Sequence, residues 1–299
     1  HRSVQRLVTP PVLGLGDRAA RRWLKGNSSP YLGEIDAIAG LLPGSGAYAL
    51  NTSYEWCCTS GVGEDPHGGI RLIRVLDWGQ SGLGRNLVLA WQTGPAGDFL
   101  NLTWPGFVGA ITAMAPGRFA VALNQPPMPA SGLSLLGDWV LGRIRVWRSC
   151  AMPPGHLLRR VCETCATYEE ARLALLETPV CISALFTLAG TRPDEGCVIE
   201  RTPDAVAVRE MPSAVGNHWD AMAERGRPRT RDSHDRQRRM AAAVALGEDW
   251  RTSPIINRFT CMTAVMNPAA ARLAVRGWER GVPVTAIRQL AAADLPAAA

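Results

Sequence analysis

Lysine is almost absent from this chain: of 32 basic residues, Lys25 is the only one. The net charge of +6 is therefore an arginine charge. Such a bias is what a GC-rich bacterial genome produces, so the excess alone does not argue for a nucleic-acid partner. One run, 225–239, gathers arginines, but Asp232 and Asp235 dilute it and no aromatic residue interleaves. It reads as a solvated loop and helix start. Long apolar runs are missing too: nothing reaches the roughly 18 uncharged residues that a membrane helix needs. The segment 181–190 is apolar but short, and reads as a buried strand. Cys162-Glu163-Thr164-Cys165 has no second CxxC and no histidine pattern beside it, which removes zinc and leaves two helix-packing cysteines. The eight cysteines are too irregular, in too long a chain, for a small disulfide scaffold. No signal segment is read after His1, which favours the cytoplasm. No metal and no cofactor are expected.

What is present is an ordinary globular composition, 46% apolar and 19% charged over 299 residues, enough for a sizeable core. Residues 17–57 read as mainly helical. Asp17 is expected to cap a helix through Leu24, and Pro30 to open a second carrying Ile35, Ile38 and Ala39 on one face. From Cys58 the texture changes. Strands are expected at 58–63 and 70–77 around the turn residues 64–69. A second hairpin, 106–113 with 118–124, flanks Ala115-Pro116-Gly117. Helices are expected at 133–149, 167–177, 233–246 and 283–291, and strands at 179–189, 196–201 and 205–210. Antiparallel hairpins with helices clustered between them make a layered α+β pattern without βαβ alternation.

The chemistry concentrates at Cys57-Cys58-Thr59-Ser60, with Arg74 and Asp77 placed 16 and 19 residues after Cys58. The hairpin brings positions 58, 74 and 77 to one end. A thiol is a strong nucleophile near neutral pH once a base or a cation activates it. The five histidines (His1, His67, His156, His218, His234) sit in no papain-like signature, although a Cys–His dyad can form in space. The alternative base is the chain's own amine. Cleavage before Cys58 would create an α-amine of pKa about 8 beside the thiol.

Cys58-Thr59-Ser60 followed by Arg74-Val75-Leu76-Asp77-Trp78 resembles the N-terminal-nucleophile (Ntn) cysteine amidases of the choloylglycine hydrolase superfamily. Tyr31-Leu32-Gly33-Glu34-Ile35, Leu50-Asn51-Thr52-Ser53-Tyr54-Glu55, Gly106-Phe107-Val108-Gly109, Ala122-Leu123-Asn124 and Gly196-Cys197-Val198-Ile199-Glu200-Arg201 are similar to its acid ceramidase and N-acylethanolamine acid amidase branch. The resemblance implies a four-layer αββα sandwich of two stacked antiparallel sheets. It also implies a helical α-chain, 1–57, and a catalytic β-chain, 58–299. Cys58 would be the nucleophile, freed by autocleavage after Cys57. Arg74 would hold the thiolate and Asp77 orient the α-amine. Asn217 would donate to the oxyanion, with a second donor near Asn124 or Gln125. Arg236, in Ser233-His234-Asp235-Arg236, matches a late arginine best seen in the penicillin and bile-salt branch. The sequence departs from the ceramidase branch at Gln125, where an acidic residue is the pattern.

The implied reaction is hydrolysis of a linear N-acyl amide, with a long-chain acyl group favoured. The apolar residues around 99–114 and 133–147 would line an acyl pocket or form core. Acyl transfer to another amine, a penicillin V or bile-salt type of amidase, and an inactive lipid-binding scaffold are the alternatives. The partners expected are the substrate and the chain's own cleaved segment, without nucleic acid. Nothing in the residues argues for contact with a membrane surface.

Overall fold

The computed structural model describes residues 10–53, 56–130, 132 and 134–294. Three helices come first: α1 (Pro10–Gly26), α2 (Leu32–Leu41) and α3 (Ala47–Asn51). The expectation for Asp17 fails. It lies inside α1, and its Oδ1 accepts the backbone N–H of Ala49 at 2.8 Å. It therefore satisfies a free amide at the start of α3, a neighbour's helix and not its own. Trp23, Leu24, Tyr31, Ile35, Ala47 and Tyr48 pack with Val108 and Cys181 from later in the chain in a small separate core.

Strands β1 (Cys57–Glu64) and β2 (Ile70–Asp77) open the first sheet. The second begins with β3 (Val88–Gly94), β4 (Gly97–Thr103), β5 (Thr112–Ala115) and β6 (Phe119–Asn124). A short β7 (Met128–Pro129) and three helices follow, α4 (Leu135–Arg148), α5 (Pro154–Thr164) and α6 (Tyr168–Glu177). Then come β8 (Ala184–Ala189), β9 (Gly196–Arg201), β10 (Val206–Glu210), β11 (Ser213–Val215) and β12 (Gly226–Arg227). Helix α7 (Ser233–Leu246) leads to β13 (Thr260–Asn267), β14 (Arg272–Glu279), β15 (Val282–Pro283) and β16 (Arg288–Leu290). The first seven-stranded sheet runs β11-β1-β2-β13-β14-β15, with β16 also on β14. The second runs β10-β9-β8-β6-β5-β4-β3, and all pairings are antiparallel.

The sheets stack through β1 and β2 on β6, β8 and β9. Alternation along β2 explains the layers. Ile70, Leu72 and Leu76 join the core between the sheets, while Ile73 and Val75 pack with Ala214, Met240, Ala243 and Val244 under α7. Helices α5 and α6 cover the second sheet with Leu157, Leu158, Val161, Ala171 and Leu175. This is the expected α+β sandwich. Helix α7 lies unusually close to β1. A Cβ on Gly61 would stand 2.8 Å from Met240 and Val244 side-chain carbons, and one on Gly63 would stand 2.6 Å from the Val244 carbonyl.

Two other expectations are corrected. Residues 106–111 do not continue β5 toward its start. The Asn51 side chain donates to Gly106 O and accepts from Val108 N, and Ala110 N bonds Gly155 O, so these backbone groups are satisfied away from any ladder. The segment 283–291 holds no helix: it supplies β15 and β16, which pair with β14. Strands β3, β4, β13 and β14 and helix α5 have no counterpart in the sequence reading.

Candidate active site

Strand alternation divides the sequence constellation between two faces of one sheet. Across the β1–β2 hairpin Cys58 pairs with Leu76, Ser60 with Arg74, and Cys57 with Asp77. Cys58, Ser60 and Arg74 therefore face the second sheet. Thr59 and Asp77 face α7.

On the inner face Arg74 is fully buried. Its Nη2 donates to Cys58 Sγ at 2.9 Å and to Leu123 O at 2.8 Å, and its Nη1 donates to Asn124 Oδ1. Among the described residues no carboxylate pairs with it. Asn124 is the hub of this face. It also accepts from Ser60 Oγ at 3.1 Å, and its Nδ2 donates to Val215 O and Gly216 O. Ser60 Oγ lies 2.7 Å from Thr187 Oγ1. Every one of these groups is buried. Burial pushes the Cys58 thiol up to about 12, against the pull of Arg74.

On the α7 face Arg236, also fully buried, reads the backbone of the same cysteine. Its Nη1 donates to Cys58 O at 2.7 Å and to Thr59 Oγ1 at 2.5 Å. Its Nη2 donates to Asn217 Oδ1 at 3.0 Å and Thr230 Oγ1 at 2.8 Å. It lies 3.3 Å from Asp232 and 3.7 Å from Asp77. Asp77 accepts from Asn257 Nδ2 at 2.9 Å and from Thr260 Oγ1 at 2.8 Å. Burial raises its pKa, opposed by Arg236 and these two donors.

Asn217 joins the two faces at the backbone of Cys58. Its Oδ1 accepts the Cys58 backbone N–H at 2.9 Å, and its Nδ2 donates to Gln125 O at 2.7 Å. Here the arrangement differs from the sequence expectation in one respect. In the continuous chain the nitrogen of Cys58 is held by Asn217, while Asp77 stands opposite Cys57 and bonds elsewhere. The Gln125 side chain is buried, and its Oε1 has no hydrogen-bond partner among the described residues.

The structure thus brings Cys58, Arg74, Asn124, Asn217, Arg236 and the Gln125 carbonyl together, with Asp77 one contact away through Arg236. Sequence reasoning missed Ser60, Thr187, Asn257, Thr260 and Thr230. Only Ser60, inside the Cys57–Ser60 run, carried a local signal. The 99–114 segment is core: Phe99, Leu100, Leu102, Ile111 and Met114 are buried. Helix α4 is different. Leu136, Trp139, Val140, Ile144 and Trp147 are exposed on it. The eight cysteines are all unpaired, with Cys162 and Cys165 buried. Among the described residues no cluster of His, Cys, Asp or Glu is placed to hold a metal ion, and no helix is long and apolar enough to cross a membrane.

No family model matches the chain. It is 28% identical over 273 residues to acid ceramidase of Heterocephalus glaber, covering 80% of this chain and 68% of that protein. It is 26% identical over 278 residues to the N-acylethanolamine-hydrolyzing acid amidase of Oryctolagus cuniculus, covering 87% and 75%. Among solved structures, the Caenorhabditis elegans ortholog of that amidase superposes with a TM-score of 0.54 at 22% identity, over 71% of this chain and 93% of the other. Over most of its length the chain is thus similar in sequence to amide-hydrolysing enzymes, and its fold is like that of an Ntn hydrolase of the choloylglycine hydrolase superfamily.

Proposed function

We propose that the chain is a self-processing cysteine amidase. Cys58 becomes its nucleophile once the Cys57–Cys58 bond is cut, and its substrate is an N-acyl amide with a long apolar acyl group. The observation that carries this reading is the contact between Arg74 and the Cys58 thiol. A guanidinium buried without a carboxylate needs an anion, and among the described residues the acidic group it touches is that thiol.

In the continuous chain, burial wins and the thiol stays protonated. Processing removes that obstacle. Sγ adds to the Cys57 carbonyl carbon, the C–N bond breaks, and the thiol proton passes to the Cys58 nitrogen. Water then hydrolyses the thioester, leaving a Cys57 carboxylate and an α-ammonium on Cys58. The new cation near the sulfur favours the thiolate. The 57 end, packed through Trp56 on Trp78, is then free to move away and admit solvent.

In turnover the thiolate adds to the amide carbon of the substrate. The α-ammonium gives its proton to the leaving amine, and a thioester remains. The α-amine then takes a proton from water, hydroxide attacks, and the acid departs with the thiolate restored. Asn217 Nδ2, released from the Gln125 carbonyl, is the side-chain donor to the oxyanion. Removing such a donor costs about 3–4 kcal/mol of barrier. Asp77, opposite the departing Cys57, counters the new ammonium.

The acyl preference rests on α4. Its exposed apolar face is tied to the site strand: β7 follows Asn124 closely and pairs with β12, whose Arg227 bonds Asp138 of α4 at 2.7 Å. The deciding experiment is intact mass of the purified protein under denaturing conditions, with product analysis on N-acyl amides. Fragments 1–57 and 58–299 with release of free fatty acid are expected. An uncut chain in an active preparation overturns the reading. Added amine that diverts the acyl group marks a transferase.

A further inference from the structure

A chain of hydrogen bonds joins the loop before α7 to its first turns, buried at Asn217 and Ser233 and opening to solvent at Gln237 and Asp220. The backbone N–H of Asn217 can only donate, and it does so to Ser233 Oγ at 2.7 Å. The Ser233 hydroxyl keeps its proton available for His218 Nδ1, 2.7 Å away. On the other side His218 Nε2 meets Gln237 Oε1 at 2.8 Å. The Gln237 amide is oriented by Ala214 O, which can only accept from its Nε2, and the same nitrogen reaches Asp220 Oδ2 at 2.9 Å. So Gln237 presents its oxygen to His218, an arrangement that suits a neutral imidazole with its proton on Nε2. A second proton on Nδ1 would face the Ser233 oxygen, which already accepts from Asn217. The buried serine hydroxyl would then lose its acceptor.

The packing allows little else. A Cβ on Gly216 would stand 2.6 Å from Ser233 Oγ, so the loop is pressed against the first turn of α7. That turn holds both ends of Asn217: Ser233 takes its backbone N–H and Arg236 its side-chain oxygen. We propose that His218 is a positioning residue for the amidase reaction: acting through the Ser233 hydroxyl, its neutral ring fixes Asn217 in line with Cys58, and its protonation loosens that hold and sets the acid limb of activity. The inference rests on the reading of Asn217 as a working part of the site.

The groups around His218 agree. His234 of α7 stacks on it with ring centroids 3.6 Å apart, and two charged rings there would repel. Asp220 in its own loop and Glu200 of β9 favour the cation. Arg209 of β10 bridges those two carboxylates, and Glu200 also accepts the backbone N–H groups of Asp220, Ala221 and Met222. Burial, followed by His234, holds the His218 pKa below the usual imidazole range. Activity should therefore persist below the pH at which an ordinary imidazole takes its charge, and be lost only in more acid solution.

The test measures kcat and KM from about pH 4 to pH 9 for wild type, His218→Ala, His218→Asn and Asn217→Ala. Asparagine can offer Ser233 an acceptor near the place of Nδ1 but does not titrate. His218→Ala should lose about tenfold in kcat with KM little changed, the worth of one buried hydrogen bond. His218→Asn should recover most of that loss and flatten the acid limb. An acid limb unchanged in His218→Asn, with Asn217→Ala inactive, overturns the role of His218 alone. Full activity in Asn217→Ala overturns the reading of the site beneath it.

Discussion

The two faces of the β1–β2 hairpin carry two arginines that treat the same cysteine differently. Arg74, between the sheets, touches the Cys58 sulfur and has no carboxylate among the described residues. Arg236, under α7, touches the Cys58 carbonyl and stands near Asp77 and Asp232. The first is a cation waiting for an anion to form, and the second is already compensated. One side can therefore change the charge state of the thiol, while the other fixes where the backbone around it lies.

The comparison breaks most decisively at the atom both arginines address. Cys58→Ala is expected to stay uncut by mass and to show no hydrolysis. Arg74→Leu should keep the fold and lose about a thousandfold in rate, as when one preorganised charged or polar donor is removed. Arg236→Met should instead act on stability. It leaves the Asp77 carboxylate buried without its cation, at a cost of about 3–5 kcal/mol in denaturant unfolding. Asp77→Asn in the same chain should return part of it. If Arg74→Leu unfolds the protein and Arg236→Met does not, the division between the faces is wrong.

Smaller effects sharpen the picture. Gly63→Ala places a methyl group against the Val244 carbonyl and should destabilise by about 1–3 kcal/mol without altering the pH profile of activity. His156 lies far from both faces. It is buried with neither ring nitrogen bonded among the described residues, and burial, helped by Arg159, takes its pKa down to about 3. A pKa lower folded than unfolded means stability is full above about pH 6.5 and falls by roughly 1.4 kcal/mol per pH unit below it. His156→Phe should flatten that slope in thermal melts, which separates acid unfolding from acid inactivation.

Some of the molecule was legible because local rules and packing agreed. The β1–β2 turn has Asp65 accepting the His67 N–H, and Gly68 and Gly69 take the left-handed region at φ 89° and 81°, so its residues announce it. Helix α6 is capped by Thr167, whose side chain accepts the Glu170 N–H, as its sequence promised. Elsewhere the determinant is distant. The β3–β4 turn packs Gly94 against the backbone of Glu163, and Ala96 N bonds Glu163 O at 2.8 Å. The β13–β14 turn has no glycine. Ala271 takes φ 48° and Asn267 Oδ1 holds Ala270 N, in a stretch whose alanines read as neither strand nor turn.

The sequence by itself determined that Cys58 and Arg74 would meet. They lie near each other in one hairpin, and the register follows from a turn its residues dictate. It also determined that Asp77 would stand at the same end. Alternation along β2 likewise puts Arg74 and Asp77, three residues apart, on opposite faces, while the second sheet on one face and α7 on the other come from the tertiary fold. That fold alone brings Asn217 and Arg236, 159 and 178 residues away, to the amide and carbonyl of Cys58. Pairing within a hairpin is local, whereas those contacts exist only once α7 has docked on β1 through Gly61 and Gly63.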